Sequence, residues 1–224
     1  MSLLQGIIFD LDGTLANTLP ICIRAYQLTA EHFTGQFPAE NEVTSLFGPS
    51  DEGVLEQMAP GRLAETLPYY LDIYERLHLH DCKEPFPGVE KALALLRASS
   101  IRTAIVTAKG PYSAAISLRI LGLSHWIDTM ETGFTDGAHK PRSIRKVLEL
   151  WGMRPDQAAY VGDTPYDMEA SLEAGLLPIG AAWAKSSALL KEVHPEAYKL
   201  FTDIDSFIHW IEIGEEFRIL STAR

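Results

Sequence analysis

Leu3-Leu4-Gln5-Gly6-Ile7-Ile8-Phe9-Asp10-Leu11-Asp12-Gly13-Thr14 is a short apolar run that breaks into two carboxylates, a glycine and a threonine. The run from Leu3 to Phe9 lacks polar alternation, which suits a strand buried on both faces, as in a parallel sheet. Side chains two apart in extended backbone point the same way, so Asp10 and Asp12 would face one pocket. Gly13 would let a ligand approach the main chain closely. An Asp-Gly turn at a strand end is the plainer reading of these residues. The apolar run before them and Gly-Thr after them favour a site.

Similar short runs recur at Thr103 to Val106, Ala158 to Val161 and Leu176 to Ala182, with weaker ones near Ile127 to Met130 and Tyr198 to Phe201. Helical spacing separates them. Val89 to Ala98 follows Pro87-Gly88; Ser113 to Leu121 lies between Pro111 and Gly122; Ser143 to Trp151 and Tyr166 to Ala174 each end at a glycine. Proline at the start and glycine at the stop are the expected helix punctuation. The alternation predicts a doubly wound, mostly parallel Rossmann-like α/β sheet.

The stretch from Asn17 to Lys83 breaks this rhythm, with helical patterns at Ile21 to Phe33, Glu40 to Phe47 and Leu63 to Leu79 and no convincing strand. A further helix would start at Ser50, a capping residue followed by Asp51 and Glu52 in the first turn. The expected organisation is therefore a core of residues 1–16 and 84–224, with a helical insert at 17–83 after the first strand.

The chain has 224 residues, enough for a main domain with a smaller insert. Its formal charge of −11 argues against a general nucleic-acid binder, which needs clustered Lys and Arg. It leaves room for a small phosphorylated metabolite, because one lysine and a metal can reverse the potential locally. Cys22 and Cys82 form no CxxC pair and read as residues of a reducing compartment. No run approaches the roughly 20 apolar residues of a membrane span, and the N-terminus lacks a secretory pattern. A cytoplasmic protein without membrane association, monomeric or homodimeric, is expected.

Four places combine a strand end with reactive side chains, and in open α/β sheets ligands bind beyond the carboxyl ends of strands. Asp10 and Asp12 are the first. Thr107, followed by Ala108-Lys109-Gly110, is the second; its hydroxyl and nearby N–H groups would suit phosphate oxygens, although a strand-ending Thr is often structural. Lys140, just before a helix, is the third, and alone it would read as a surface lysine. Asp163 and Asp167, in Gly162-Asp163-Thr164-Pro165-Tyr166-Asp167, are the fourth. Carboxylate oxygens are the ligands Mg²⁺ prefers, while Asp167 would equally serve as a helix-end charge. Four carboxylates in one pocket repel one another, and a divalent cation with Lys140 would relieve that cost and then clamp a phosphate.

Asp10-Leu11-Asp12-Gly13-Thr14, Thr107, Lys140-Pro141 and Gly162-Asp163 with Asp167 occur in the order of the four motifs of the haloacid dehalogenase superfamily. The chain resembles its phosphoglycolate-phosphatase-like branch, which carries a helical cap where the insert falls. The resemblance implies a phosphatase in which Asp10 attacks phosphorus and forms an aspartyl-phosphate. Asp12 would act as acid and then base, and Thr107 and Lys140 would hold phosphoryl oxygens. It also implies Mg²⁺ on Asp10, Asp163, the backbone carbonyl of Asp12 and Asp167, the last directly or through water. Backbone N–H groups near Leu11 and Ala108 would complete the phosphate cradle. The second acid, Asp12, favours phosphoryl chemistry over dehalogenation. The insert contains no lysine, which disfavours the phosphonatase branch with its Schiff-base lysine. Gly48 and Ser50 fall in a loop that the resemblance aims at the site. Arg24 is a candidate for a second anionic group of the substrate or, more plainly, a surface ion-pair partner. Tyr69, Tyr70 and Tyr74 read as cap packing. A sugar-phosphate mutase of the β-phosphoglucomutase type, a pyrophosphatase or a nucleotidase are the family alternatives. A signalling receiver domain lacks both the second acid and the insert.

Overall fold

The computed structural model describes residues 3–185, 187–190, 196 and 199–217. Its centre is a six-stranded parallel sheet in the order β3-β2-β1-β4-β5-β6. The strands are β1 (Gly6–Phe9), β2 (Arg102–Val106), β3 (Thr129–Glu131), β4 (Ala158–Gly162), β5 (Leu177–Ala181) and β6 (Lys199–Phe201). Tyr198, where the last weak run was expected to begin, lies outside the described residues, as do residues 218–224.

Four helices, α1 (Leu19–Thr34), α2 (Glu40–Thr44), α3 (Asp51–Met58) and α4 (Leu63–Asp81), follow β1 before the sheet resumes. The chain then alternates through α5 (Val89–Ala98), α6 (Pro111–Ile120), α7 (Lys140–Trp151), α8 (Pro165–Ala174) and α9 (Ile204–Ile213). Among the described residues, none of these helices is long and apolar enough to cross a membrane.

The pleat of β1 explains the two-sided core. Ile7 and Phe9 join the apolar cluster that holds Leu93 and Leu96 of α5 and Phe207 and Ile211 of α9. Ile8 points the other way, into a cluster with Ile144, Val147 and Leu148 of α7 and Ala170 and Ala174 of α8. A central strand with both faces covered has no polar position, hence its continuous apolar run.

Register sets the site. Phe9 aligns with Ile105 of β2 on one side and Val161 of β4 on the other. The three strands therefore end level, and Asp10, Thr107 and Asp163 emerge on one edge. β1 is also where the strand order reverses, so its neighbours diverge and open a crevice at their carboxyl ends.

Several boundaries differ from expectation by a few residues, and two of them bear on the site. Lys140 is the first residue of α7 and not a residue before it, because Pro141 is accommodated in the first turn, where its missing N–H is no loss. The second insert helix ends at Thr44 and not Phe47, short of Gly48 with its φ of 138°. The chain enters and leaves the insert through adjacent segments: the Phe86 N–H donates to the Leu15 carbonyl at 2.9 Å.

Candidate active site

Asp10 lies one residue past β1 and is buried. Its Oδ1 accepts from the Leu11 N–H at 2.7 Å, and its Oδ2 accepts from Lys140 Nζ at 2.7 Å. Lys140 also donates to Asp167 Oδ1 at 2.6 Å. The other oxygen of Asp167 accepts from the Thr164 N–H at 3.0 Å and from its hydroxyl at 2.6 Å. Asp167 is thus anchored at the start of α8 and in turn aims the ammonium of Lys140 at Asp10. Asp163 Oδ1 accepts from Thr14 Oγ1 at 3.3 Å. Gly13, at φ 74°, presses its Cα against the Asp163 carboxylate, and a Cβ there would overlap it.

Crowding shows in the acidities. Burial is the main reason Asp10 is pushed up to about 6; Lys140 opposes the rise, and Asp167 and Asp12 add to it. Burial, reinforced by Asp10 and Asp167, pushes Asp163 up to about 8. Burial would drag Lys140 down, but Asp10 and Asp167 override it and hold the amine well above its usual range. The lysine is therefore a fixed cation, and the carboxylates around it are short of positive charge.

This shortage bears on a metal. Asp10, Asp163 and Asp167 each offer a carboxylate oxygen, and these lie within 4.8 Å of one another. An all-oxygen, buried, charge-deficient set matches the chemistry of a hard divalent cation such as Mg²⁺.

Asp12 sits at the cavity wall. Its Oδ1 accepts from the Thr18 hydroxyl and lies 3.4 Å from Lys109 Nζ. A cavity of about 450 Å³ opens between the sheet edge and the insert. Its walls include Asp10, Asp12, Asp163 and Lys140, with Thr107 and Ala108 from the loop after β2 and Gly48 from the insert. The Leu11 N–H, expected in a phosphate cradle, is engaged by Asp10.

Two expected site residues are elsewhere. Arg24 is exposed, with its guanidinium 4.9 Å from the Phe37 ring centroid. Cys22 and Tyr26 of α1 face the cavity, and Arg24, two residues from each, is turned about 200° from both on a helix. Ser50 is buried at the N-terminus of α3 but does not line the cavity. Its hydroxyl donates to Glu52 at 2.7 Å and accepts from no helix N–H.

Two residues with no assigned role come forward. Lys109 is buried against the cavity, and Asp51 of α3 is buried where the insert meets the core. Asp51 accepts from Tyr26 Oη at 2.6 Å, Tyr70 Oη at 3.0 Å, the Gly110 N–H at 2.8 Å and the Ser113 hydroxyl. Tyr70 and Tyr74 are buried in the insert and Tyr69 stacks on His32, so the tyrosines are packing residues. Lys109 stands two residues after Thr107, the same spacing that pairs Asp10 with Asp12. That spacing was a usable signal for it.

Fold and site together define a Rossmann-like α/β protein with a lysine-braced acidic cluster at its switch point. The chain belongs to the haloacid dehalogenase-like hydrolases, whose family model matches residues 7–181. It is similar to a provisionally named pyrophosphatase PpaX of Clostridium perfringens, 30% identical over 88% of this chain and 92% of that one. It is also similar to a phosphoglycolate phosphatase of Aquifex aeolicus, 29% identical over 80% and 85% of the two chains. Among solved structures, CbbY from Rhodobacter sphaeroides, crystallised in complex with phosphate, shares the fold with a TM-score of 0.75. Its identity is 20%, over 90% of this chain and 95% of that one.

Proposed function

We propose that the chain is a Mg²⁺-dependent phosphatase acting on a small phosphorylated metabolite through an aspartyl-phosphate at Asp10. The observation that carries this reading is the meeting of Asp10, Asp163, Asp167 and Lys140 beside Asp12 at one sheet edge. The relatives named as a pyrophosphatase and a phosphoglycolate phosphatase support hydrolysis of a phosphate bond.

In the first step an Asp10 carboxylate oxygen attacks phosphorus while the bond to the leaving oxygen breaks and Asp12 gives that oxygen a proton. In the second, Asp12 takes a proton from water, the water oxygen attacks phosphorus, and the bond to Asp10 breaks. Inorganic phosphate leaves and both aspartates return to their starting forms. Lys140 and the Thr107 hydroxyl hold the phosphoryl oxygens as charge develops. Asp10, Asp163, Asp167 and the backbone carbonyl of Asp12 would hold Mg²⁺, which when bound offsets the carboxylate charge and stabilises the phosphoryl oxygens. Residues 17–83 act as a cap over a core of residues 1–16 and 84–224, keeping bulk water from the first step.

Phosphate release from a panel of small phosphate esters and pyrophosphate, with Mg²⁺ and with EDTA, tests the reading. Turnover is expected only with metal, and Asp10→Asn is expected to abolish it. Wild-type turnover in the Asn variant would rule out the assigned nucleophile.

A further inference from the structure

The cavity has two unlike halves. The core half carries the carboxylates and Lys140 described above. The insert half is built from Leu19, Cys22 and Tyr26 of α1, Phe47 and Pro49 of the loop after α2, and Val54 of α3. Polar atoms of this half are turned onto one another. Tyr26 Oη donates to Asp51 Oδ1 at 2.6 Å, and the two Asp51 oxygens accept three further donors. Tyr26 therefore offers the cavity its ring and not a free hydroxyl, and that ring lies 6.1 Å from the Phe47 ring. Burial pushes the Cys22 thiol up to about 12, so it stays neutral and packs as a small apolar group. Among the described residues, no lysine, arginine or histidine of the insert lines the cavity. Arg24, Arg62 and Arg76 are all exposed, and the charged insert side chain that does line it, Asp51, is acidic. Lys109 of the core is enclosed by Asp12, 3.4 Å away, and the Tyr74 ring at 4.4 Å, with its ammonium buried. Phe47 is 38% exposed beside the cavity, an apolar surface that a bound ligand can cover.

Position then says which part of a ligand meets this half. The following rests on the phosphatase reading above. Asp12, which gives the leaving oxygen its proton, accepts from the Thr18 hydroxyl, and the next residue, Leu19, begins the apolar half. The leaving group therefore has the insert half beside it. An anion there would give up water with no cation or unengaged hydroxyl among the insert side chains to replace it, and it would face Asp51 as well. Carbon gains by the same burial. We infer that the insert half is a subsite for a neutral, apolar leaving group. The preferred substrates are then phosphate monoesters of uncharged, carbon-rich alcohols or phenols. Pyrophosphate and phosphoglycolate, whose leaving groups are anionic, are poor substrates, in contrast to what the names of the relatives suggest.

The test compares 3-methylbutyl phosphate with 2-carboxyethyl phosphate, with Mg²⁺ present. Both leaving groups are primary alcohols of similar shape, one ending in an isopropyl group and the other in a carboxylate. Pyrophosphate and phosphoglycolate complete the panel. Wild type is expected to favour the isopropyl member by about tenfold or more in kcat/KM, the scale of discrimination in an apolar pocket. Phe47→Arg, at an exposed position that tolerates a long side chain, brings a cation to the edge of this half. It should move the ratio about tenfold toward the carboxylate member, mainly through KM, as one charged hydrogen-bonding contact would. A wild-type ratio near one, or one favouring the carboxylate, overturns the inference without need of any variant. A folded Phe47→Arg enzyme that keeps the wild-type ratio overturns the placing of the leaving group against this wall. If wild type releases phosphate from none of the panel, the phosphatase reading itself falls. Turnover of the anionic members alone leaves that reading intact and removes only the apolar subsite.

Discussion

In the proposed reaction Asp12 gives a proton in one step and accepts one in the next, and its neighbours are a hydroxyl that donates to it and a lysine 3.4 Å away. The proton it delivers matters most where the leaving oxygen is strongly basic. Asp12→Asn is therefore expected to slow hydrolysis of alkyl phosphates by about 10²–10⁴-fold, the usual size of general acid–base assistance. p-Nitrophenyl phosphate, whose leaving group needs little protonation, should lose distinctly less in a pre-steady-state burst of nitrophenolate. Equal losses in the burst would remove Asp12 from the role of acid. At this scale the site was legible wherever residue type and strand position agreed. Asp10, Asp12, Asp163 and Lys140 stand at strand ends or a helix start, where backbone geometry alone aims a side chain. Arg24 and Ser50 were misplaced because they lie in the insert, where direction depends on how helices rotate against each other. Sequence spacing fixes which residues share a helix face, but not which face meets the cavity.

Among the elements, α3 and the loop leading into α6 form a close, polar join between insert and core. Gly110 lies so close to α3 that a Cβ there would run into Asp51 and Glu52. Asp51 gathers two tyrosine hydroxyls from the insert and two donors from the core. A second join is the 2.8 Å hydrogen bond between Tyr74 Oη of α4 and Ser117 Oγ of α6. Asp51→Ala leaves buried donors without an acceptor, each costing about 1–3 kcal/mol when no water replaces it. With some water entry, a loss of about 3 kcal/mol is expected, or roughly 6–12 °C in Tm for a chain of this size. Thermal unfolding followed by circular dichroism measures it, and a drop under about 2 °C would show that Asp51 is no join. Most elements were legible from periodicity and punctuation. By contrast, α9 went unread although Asp203 caps it by accepting from the Ser206 N–H at 2.7 Å. Its Phe207, Ile208, Trp210 and Ile211 are buried over the sheet, but it follows the weak β6, so no strand–helix alternation drew attention to it.

For the whole molecule, the acidic cluster links stability, pH and metal. In an unfolded chain Asp10 and Asp163 titrate near the ordinary value of 3.8, whereas in the fold they are pushed to about 6 and about 8. Between those limits the folded state binds more protons than the unfolded one, so stability falls as pH rises. The favourable contribution is whole below about pH 4 and spent above about pH 8. In EDTA, Tm is therefore expected to fall by about 5 °C or more from pH 5 to pH 8. On the proposed reading Mg²⁺ would take the ionised carboxylates and release the protons they hold, so its stabilising effect should grow with pH. Rising net charge would also lower Tm with pH, since the formal charge is already −11 at neutrality, and a variant separates the causes. Asp163→Asn removes the group with the largest rise: it should flatten the slope in EDTA, raise Tm at pH 8 and abolish most of the Mg²⁺ gain. A mutation that stabilises the metal-free protein while disabling metal binding is the signature of carboxylates held together for a cation. An equal Mg²⁺ gain at pH 5.5 and pH 8, or an Asp163→Asn protein less stable than wild type in EDTA at pH 8, would place the cation elsewhere.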